Sequence, residues 1–407
     1  MIHVIGLGVG DVQSLSQEAL QAITLSSLII GSQRQLACIE ALLGESQVQQ
    51  YYPSPLADII AYLQSAQDKN ICLLASGDPL FYGIGDLLLR HFREEQLTFY
   101  SHSSSIQLAF ARIKKSWQRA RVISLHGRPL HDLIPHLANH QLYALLTDKQ
   151  SQPQAIASLL CEYQCENADI WVCEALGTNE EKVRQFKADI LSNSEIVFHP
   201  LHVTLVETKS TQCHLPSFPG FDDRLFYTDT GDVAKGMMTK KEVRLVALSL
   251  LQAQAQDIVW DIGAGCGTVA VECAYWNQQA SVYAVEYHPK RLVCLAKNKQ
   301  KFGLSHLHII AEKAPHCLAK LPSPNAIFIG GTAGNLHEIM DHCWKVLSSR
   351  GRLVINCVTE NCKSELQQWL TVQDISDDAL EWTEVAVSKG GLLAGQLLMR
   401  PRLPVRL

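Results

Sequence analysis

Residues 260–267, Trp-Asp-Ile-Gly-Ala-Gly-Cys-Gly, constrain this chain more than any other stretch. Ile258, Val259, Trp260 and Ile262 form a short apolar run that reads as a buried parallel strand. Gly263, Gly265 and Gly267 then let the backbone turn sharply beneath a ligand. Glu286 stands at the end of a second apolar run, residues 282–285, where a carboxylate can hold ribose hydroxyls. Strand, turn, helix and acid together predict a nucleoside-binding βαβ unit, the plain alternative being an ordinary αβ loop with three glycines. Dinucleotide turns usually read G-x-G-x-x-G, whereas here G-x-G-x-G is followed by Thr268, with Asp261 inside the strand end. That spacing favours S-adenosylmethionine over NAD.

At 407 residues the chain exceeds one ordinary core and predicts two or three domains. A net charge of −5 argues against a broad phosphate-binding surface, so no nucleic-acid partner is expected. The thirteen cysteines lie scattered without paired C-x-x-C spacing, which fits reduced, core-filling thiols. Cys161 and Cys165 lack a second ligand pair, and His306 and His308 alternate along a strand without supporting ligands, so no metal is expected. No basic region precedes the first apolar stretch and no apolar run is long enough to span a bilayer. The expectation is a soluble, cytoplasmic protein with no membrane partner.

The chain opens with a strand over residues 2–7 that runs into a second glycine turn, Gly6-Leu7-Gly8-Val9-Gly10-Asp11, with Asp11 placed to cap a helix over 16–25. A buried strand then ends in Ser76-Gly77-Asp78-Pro79-Leu80-Phe81-Tyr82-Gly83, which offers glycine-exposed backbone and flat apolar walls to an adenosine or a large conjugated substrate. A β-turn with core aromatics is the plain alternative. Residues 101–105 supply small hydroxyl side chains between a strand over 97–100 and a helix over 106–113.

These motifs, with Ile30-Gly31-Ser32-Gln33-Arg34-Gln35-Leu36 and Ser103-Ser104-Ser105-Ile106-Gln107, resemble the tetrapyrrole methylase family, in particular its member that methylates C5 of a precorrin. The resemblance continues through Ser124 to Arg128, Leu146-Thr147-Asp148 and Glu174 to Thr178. Val9 stands where many relatives carry proline, which leaves the first loop less rigid. The resemblance implies a two-lobed class III methyltransferase domain over residues 1–205. It further implies that Gly6, Gly8, Gly10, Asp11, Gly77, Asp78, Pro79, Ser104, Ser105 and Gly177 bind the cofactor and that Phe81 and Tyr82 face the substrate. His126 is a candidate substrate contact. Arg34 and Arg128 suit the carboxylates of such a substrate through bidentate pairing, a solvated surface arginine being the equal alternative.

Pro216, Pro219 and Gly220 with several aspartates break any helical or strand period, which predicts a linker over 206–237. Phe218, Phe221, Phe226 and Tyr227 predict that it lies against a surface. An amphipathic helix begins at Thr239, placed as its cap, with Val243, Val246, Ala247, Leu250 and Leu251 on one face and Lys240 and Lys241 exposed. Strands and helices then alternate, which means a mostly parallel sheet with helices on both faces. Apolar stretches at 384–387 and 392–398 flank Gly390-Gly391 and predict a terminal hairpin that completes a seven-stranded, class I Rossmann-like methyltransferase over 238–407.

Met238-Thr239-Lys240, residues 261–267, Glu286, residues 311–315 and Phe328-Ile329-Gly330-Gly331-Thr332 resemble the precorrin methyltransferases that act at C15 and remove the ring C acetate carboxyl. Asp261, Gly263, Ala264, Gly265, Cys266 and Gly267 are assigned to the cofactor's amino-acid end and Glu286 to its ribose; Thr239 and Ala314 line it by resemblance. Gly330, Gly331 and Thr332 follow the fourth strand at the edge where substrate meets the methyl group.

The two resemblances in this order imply methylation of a precorrin at C5 and C15 with decarboxylation, in corrin-ring synthesis, with one S-adenosylmethionine site per domain and a homo-oligomeric assembly. Methyl transfer from a sulfonium needs alignment in a dry pocket more than a strong base. Decarboxylation needs a proton donor that the sequence does not nominate; His316, Asn356 and Glu360 lie near strand ends and are weak candidates. Two alternatives stay open: a methyltransferase for another substrate, and a cofactor-sensing scaffold without turnover. An NAD dehydrogenase would place glycine at Thr268, and a nucleic-acid methyltransferase would replace Gly330-Gly331-Thr332 with an N/D-P-P-Y/F segment.

Overall fold

The computed structural model describes residues 1–9, 12–66, 68–209, 216–232, 235–373, 375–402 and 404–407. The chain divides into two units, residues 1–130 with 138–214 and residues 131–137 with 215–407.

The first unit carries two sheets. In the first, β1 (Ile2–Gly6) is followed by α1 (Gln17–Leu25), β2 (Leu28–Gly31), α2 (Gln33–Ile39), β3 (Val48–Tyr51), α3 (Ile59–Ser65), β4 (Ile71–Ala75), α4 (Gly85–Leu89) and β5 (Leu97–Tyr100). The strand order is β3-β2-β4-β1-β5 and all pairs are parallel. β4 is buried along its whole length, as a strand covered on both faces requires. Val4 and Ile30 face α3, while Ile5 and Ile29 face α1 and α2, so alternate side chains feed two cores. Ser16 caps α1, accepting from the Ala19 N–H. The expected cap, Asp11, and Gly10 lie outside the described residues.

After α5 (Ser105–Ile113) come β6 (Arg121–Ser124), β7 (Leu142–Leu146), α6 (Pro153–Glu162), β8 (Asp169–Glu174), β9 (Lys182–Lys187), α7 (Ala188–Ser192) and β10 (His202–Glu207). They form a mixed sheet, β6-β7-β10-β8-β9, in which only β6 and β7 run parallel. Ile106, Ala109 and Phe110 of α5 pack on Ala144, Trp171, Val203 and Leu205 of this sheet. Two lobes, as expected for a tetrapyrrole methylase, thus share the first unit.

In the second unit α8 (Lys241–Leu251), β11 (Ile258–Ile262), α9 (Thr268–Trp276), β12 (Ser281–Val285), α10 (Pro289–Lys301), β13 (Leu307–Ile310), β14 (Ala326–Ile329), α11 (Leu336–Val346), β15 (Arg352–Ile355) and α12 (Glu360–Thr371) alternate. Five parallel strands run in the order β13-β12-β11-β14-β15. Helices α8, α9 and α10 cover one face, and α11 and α12 the other. The chain ends in β16 (Glu384–Val385), β17 (Ser388–Leu393), β18 (Gln396–Pro401) and β19 (Val405–Arg406).

Here two sequence expectations need correction. The hairpin β17–β18 does not join the main sheet; it forms its own two-stranded ribbon, turning at Ala394-Gly395 and not at Gly390-Gly391. Ala394 and Gly395 both have positive φ, 50° and 80°, the pair that a tight hairpin turn demands, while Gly390 and Gly391 lie inside β17. The main sheet keeps five strands; β16 and β19 pair antiparallel as a second ribbon, tied to it through Arg406, which bridges to Cys357 just past β15 by bonds of 2.8 and 3.2 Å. Second, Thr239 does not cap α8. Lys240 occupies the cap position without a side-chain capping bond, and Lys240 and Lys241 are half-buried. Val246 and Leu250 are also only half-buried, whereas Val243, Arg244, Ala247 and Leu251 make the buried face.

The stretch before α8 packs on the second unit. Phe221 and Phe226 enter its core, Phe221 meeting Tyr275 edge-on at 4.9 Å, while Phe218 is exposed. Arg244, wholly buried, donates to Glu272 (2.6 Å), Asp223 (3.1 Å), the Phe221 carbonyl (2.5 Å) and the Thr239 carbonyl (2.7 Å). Glu272 also accepts from the Gly220 and Phe221 N–H groups. A buried charge is tolerable only when so fully partnered.

Candidate functional site: two glycine-built sheet edges

In the first unit the loops after β1, β4 and β5 meet at the carboxyl edge of the parallel sheet. Leu7 N–H donates to the Ala75 carbonyl at 2.9 Å, and Gly8 and Gly77 form an antiparallel bridge. Gly8 has φ +65°, and a Cβ there would collide with the His102 imidazole, so the loop can close only on glycine. Ser104, buried, accepts from Gln107 N–H and caps α5, whose first residue is Ser105; its Cα would lie 3.5 Å from a Cβ on Gly77. The structure therefore brings Gly6, Gly8, Gly77 and Ser104 together.

Asp78 Oδ1 accepts the Leu80 N–H at 2.8 Å, which fixes the turn through Pro79. Phe81 and Tyr82 follow, edge to face at 5.1 Å, and are 38% and 55% exposed. They are a solvent-facing wall, not core aromatics. Tyr82 OH donates to the Val122 carbonyl at 3.1 Å, tying this wall to the second sheet. Arg34 and Gln35 both donate to Ser76 Oγ at 3.1 Å, which holds Arg34 beside the same turn. Gly177 donates to Glu181, which pairs with Arg112 of α5. His126 and Arg128 are exposed in the turn after β6, on the second sheet, where Gly127 N–H donates to Asp148 at 2.7 Å. Ser76 and Gln35, which the sequence offered only as parts of motifs, thus join the turn, and His102 is an addition to the sequence reading; its Nε2 lies 3.0 Å from Ser14 Oγ.

In the second unit the carboxyl ends of the parallel strands again converge, with the glycine turn and Gly330-Gly331 on either side of the point where strand order reverses between β11 and β14. Gly263 has φ +69°, and a Cβ on it would run into the backbone of Gly331, so these two loops touch only because neither carries a side chain. Gly263 and Ala264 N–H groups donate to the Val285 carbonyl, both at 3.0 Å. The Met237 carbonyl accepts from Cys266 N–H at 3.1 Å and sits against Gly265; Thr268 Oγ1 donates to the Thr239 carbonyl at 3.3 Å. Residues 237–239 thus cover the turn. Gly267 begins α9, and Asn298 Nδ2 donates to the Cys266 carbonyl at 2.9 Å.

Glu286 is 3% exposed and accepts three backbone N–H bonds: Gly265 at 2.9 Å, and Tyr287 and His288 at 2.8 Å each. One bond falls on Oε2, which keeps acceptor capacity. Asp261 Oδ2 accepts the Ala270 N–H at 2.9 Å, while its Oδ1 is buried without a partner. Burial pushes its carboxyl up to about 7, against the Ala270 bond and with help from the Glu286 charge. A buried, unpartnered acceptor beside a glycine turn suits a ligand that carries an amine. Ala314 is buried next to the 315 proline, and Gly331 is exposed, Gly330 and Thr332 half-buried, at the same edge.

Of the three weak candidates for proton delivery, Asn356 is held at the sheet edge, its backbone N–H donating to the Ile329 carbonyl at 2.9 Å and its Oδ1 buried and unpartnered, but a carboxamide has no acidic proton, so it can orient a group there and not protonate one. His316 is exposed. Glu360 pairs with Arg406 at 2.8 Å, which holds its carboxyl below the usual range and makes it a poor proton donor.

Residues 1–191 match the family of tetrapyrrole (corrin/porphyrin) methylases, and residues 233–406 match a precorrin methyltransferase domain. A precorrin-6Y C(5,15)-methyltransferase [decarboxylating] of Sinorhizobium sp. is 31% identical over 99% of this chain and 94% of its own length. A probable cobalt-precorrin-6B C(15)-methyltransferase (decarboxylating) of Saccharolobus solfataricus is 33% identical over 42% of this chain and 85% of its own. A cobalt-precorrin-7 C(5)-methyltransferase of Salmonella typhimurium is 33% identical over 39% of this chain and 76% of its own. The chain belongs to the precorrin-6Y C5,15-methyltransferase (decarboxylating) family.

Proposed function

We propose that this chain methylates a precorrin at C5 and C15 and removes the ring C acetate carboxyl as carbon dioxide, residues 1–205 serving C5 and residues 238–407 serving C15 and the decarboxylation. The observation that carries this reading is the presence, in one chain, of two glycine-built sheet edges of different topology. S-adenosylmethionine, when bound, supplies an electrophilic methyl group on a sulfonium sulfur. In the second unit Gly263, Gly265 and Gly267 give its amino-acid end access to the backbone, Asp261 Oδ1 offers an acceptor to its ammonium, and Glu286 Oε2 offers one to its ribose. In the first unit Gly6, Gly8, Gly77 and Ser104 form the corresponding cradle.

Phe81 and Tyr82 present flat faces to the macrocycle, and Arg34, held by Ser76, meets a peripheral carboxylate. In the second unit Gly330 and Gly331 allow the ring to approach the sheet edge. Asn356 orients the acetate carboxyl there, donating through Nδ2, and decarboxylation leaves its electron pair in the conjugated ring. The ribbon β17–β18 exposes Leu392, Leu397 and Met399 at 78%, 70% and 55%; an apolar strip of this kind supports a homo-oligomer. We place the enzyme in the cytoplasm; among the described residues no helix is long and apolar enough to cross a membrane.

The test is mass spectrometry of precorrin-6Y incubated with S-adenosylmethionine and the full chain. The product should be heavier by two CH2 units, since each transferred methyl replaces a proton, and lighter by one carbon dioxide. Gly8→Ala should abolish only C5 methylation and Gly263→Ala only the C15 reactions. An unchanged substrate with the wild-type chain refutes the reading, and loss of both activities in either variant refutes the division between units.

A further inference from the structure

Away from the glycine turn, the second unit holds a cavity of about 220 Å³ lined by Asp222, Asp223, Arg224, Lys241, Lys389 and Arg402. Its walls come from a 3-10 turn, the start of α8, strand β17 and the residue after β18. Both lining carboxylates are already engaged: Asp222 grips Arg224 at 2.9 and 2.6 Å, and Asp223 takes a 3.1 Å bond from buried Arg244. Lys389 pairs with Glu242 at 2.7 Å, just outside the lining. Lys241 and Arg402 have no ion-pair partner among the described residues. Two cations therefore face the cavity outside any direct ion pair, Lys241 acting on Asp222 and Glu242 only from beyond contact distance. The same cations reach Lys240: burial first, together with Arg402, Lys389 and Arg244, holds its amine below the usual range, against the pull of Asp223.

Size narrows the ligand. Pockets for drug-sized molecules run from roughly 300 Å³ upward, whereas a single carboxylate or phosphate with a few waters at about 30 Å³ each fits here. We propose that this cavity binds a small oxyanion group, a carboxylate or phosphate, between the Lys241 ammonium and the Arg402 guanidinium. A guanidinium fork takes two oxygens of such a group, and an ammonium adds a point charge. Arg224 and Lys389 flank the site as already paired cations.

The position links the anion to the methyl-donor turn, a step that rests on the function proposed above, whereas the anion site does not. Lys241 lies two residues past Thr239, whose carbonyl is held by Arg244 and Thr268, and four past Met237, whose carbonyl holds Cys266 N–H. An oxyanion on Lys241 thus holds the start of α8, just past the end of the segment that covers the turn. Two sources share this chemistry: a peripheral carboxylate of the tetrapyrrole, or a free oxyanion.

The experiment titrates the full chain with inorganic phosphate at constant ionic strength, read by calorimetry, for the wild type, Lys241→Ala and Arg402→Ala. Neither side chain holds an ion pair, so both variants should keep the wild-type melting temperature. The expected result is saturable binding to the wild type, weakened about tenfold or more in each variant, the loss of one charge-assisted bond. No saturable binding to the wild type, or equal binding by the variants, overturns the proposal. Steady-state methylation then distinguishes the sources. Competition between phosphate and precorrin, with KM raised and kcat kept in Arg402→Ala, assigns the site to a substrate carboxylate. Phosphate binding that leaves precorrin KM unchanged assigns it to a free oxyanion.

Discussion

Replacing Asp261 with asparagine should remove a pH dependence of stability from the second unit. Asp261 is 2% exposed, and burial, opposed by the Ala270 N–H and reinforced by Glu286, raises its carboxyl from 3.8 to about 7. The folded chain therefore holds this proton more tightly than the unfolded chain does. Stability from the neutral carboxyl is complete below the unfolded value and is lost as pH rises toward and through the folded value. Between pH 5 and pH 8 the loss is about 3 kcal/mol, or on the order of 6–12 °C in melting temperature for a unit of this size. An asparagine keeps the Ala270 bond through its carbonyl oxygen and has no proton to lose. Calorimetric melting of the full chain without cofactor, wild type against Asp261→Asn from pH 5 to pH 8, isolates this contribution because every other titrating group cancels. The variant should gain on the wild type by that amount across the interval. Parallel curves would show that Asp261 ionises as freely in the fold as in water, and would refute the account of the turn as a dry, acid-lined pocket.

Arg244→Met leaves the Glu272 and Asp223 carboxylates without their cation and should destabilise the second unit by about 3–5 kcal/mol, read by urea unfolding; adding Glu272→Gln should recover part of the loss. The Sγ atoms of Cys357 and Cys362 lie 3.5 Å apart, and the hydrogen bond between the two thiols holds Cys362 below the usual thiol range. At pH near 6.5 Cys362 should label with iodoacetamide faster than exposed Cys38, and Cys357→Ala should abolish that lead in peptide mass mapping. Leu392→Asp with Leu397→Asp should yield a smaller species in analytical ultracentrifugation than the wild type, with methylation of precorrin kept; an unchanged sedimentation coefficient would remove the ribbon from the assembly.

What was legible in the sequence follows from which residues have only one use. A glycine forced to positive φ under a neighbouring backbone, as at Gly8 and Gly263, has no substitute, so both turns announce themselves. Strands β1, β4, β11, β12 and β14 read directly because strands covered on both faces are continuous apolar runs. By contrast β16 and β19 are two residues each, and no period can be seen in two residues; the longer β17 and β18, with a glycine pair inside, drew the seven-strand pattern to themselves. The cap at Thr239 failed because its carbonyl is bound by Arg244 and Thr268, so the helix starts later. Arg244 itself left a signal that polarity concealed: it stands three and seven residues before Ala247 and Leu251, on the buried face, and a cation at such a position requires a buried partner.

The two sheet edges reach one chemical end by different routes, and the difference sets how each tolerates change. In the second unit the turn is enclosed: Asp261 and Glu286 are buried, residues 237–239 cover it, and the Arg244 network anchors that cover. A substitution there disturbs folding and chemistry together, as the pH experiment on Asp261 would reveal. In the first unit the cradle is a bridge between two loops, Gly8 to Gly77, flanked by exposed Phe81 and Tyr82, with His102, Pro79 and Ser104 packed at its sides. Phe81→Ala should therefore weaken precorrin binding, raising KM for C5 methylation, while the melting temperature of the chain stays unchanged. An equal loss of stability would mean that the aromatic wall supports the fold and not the substrate.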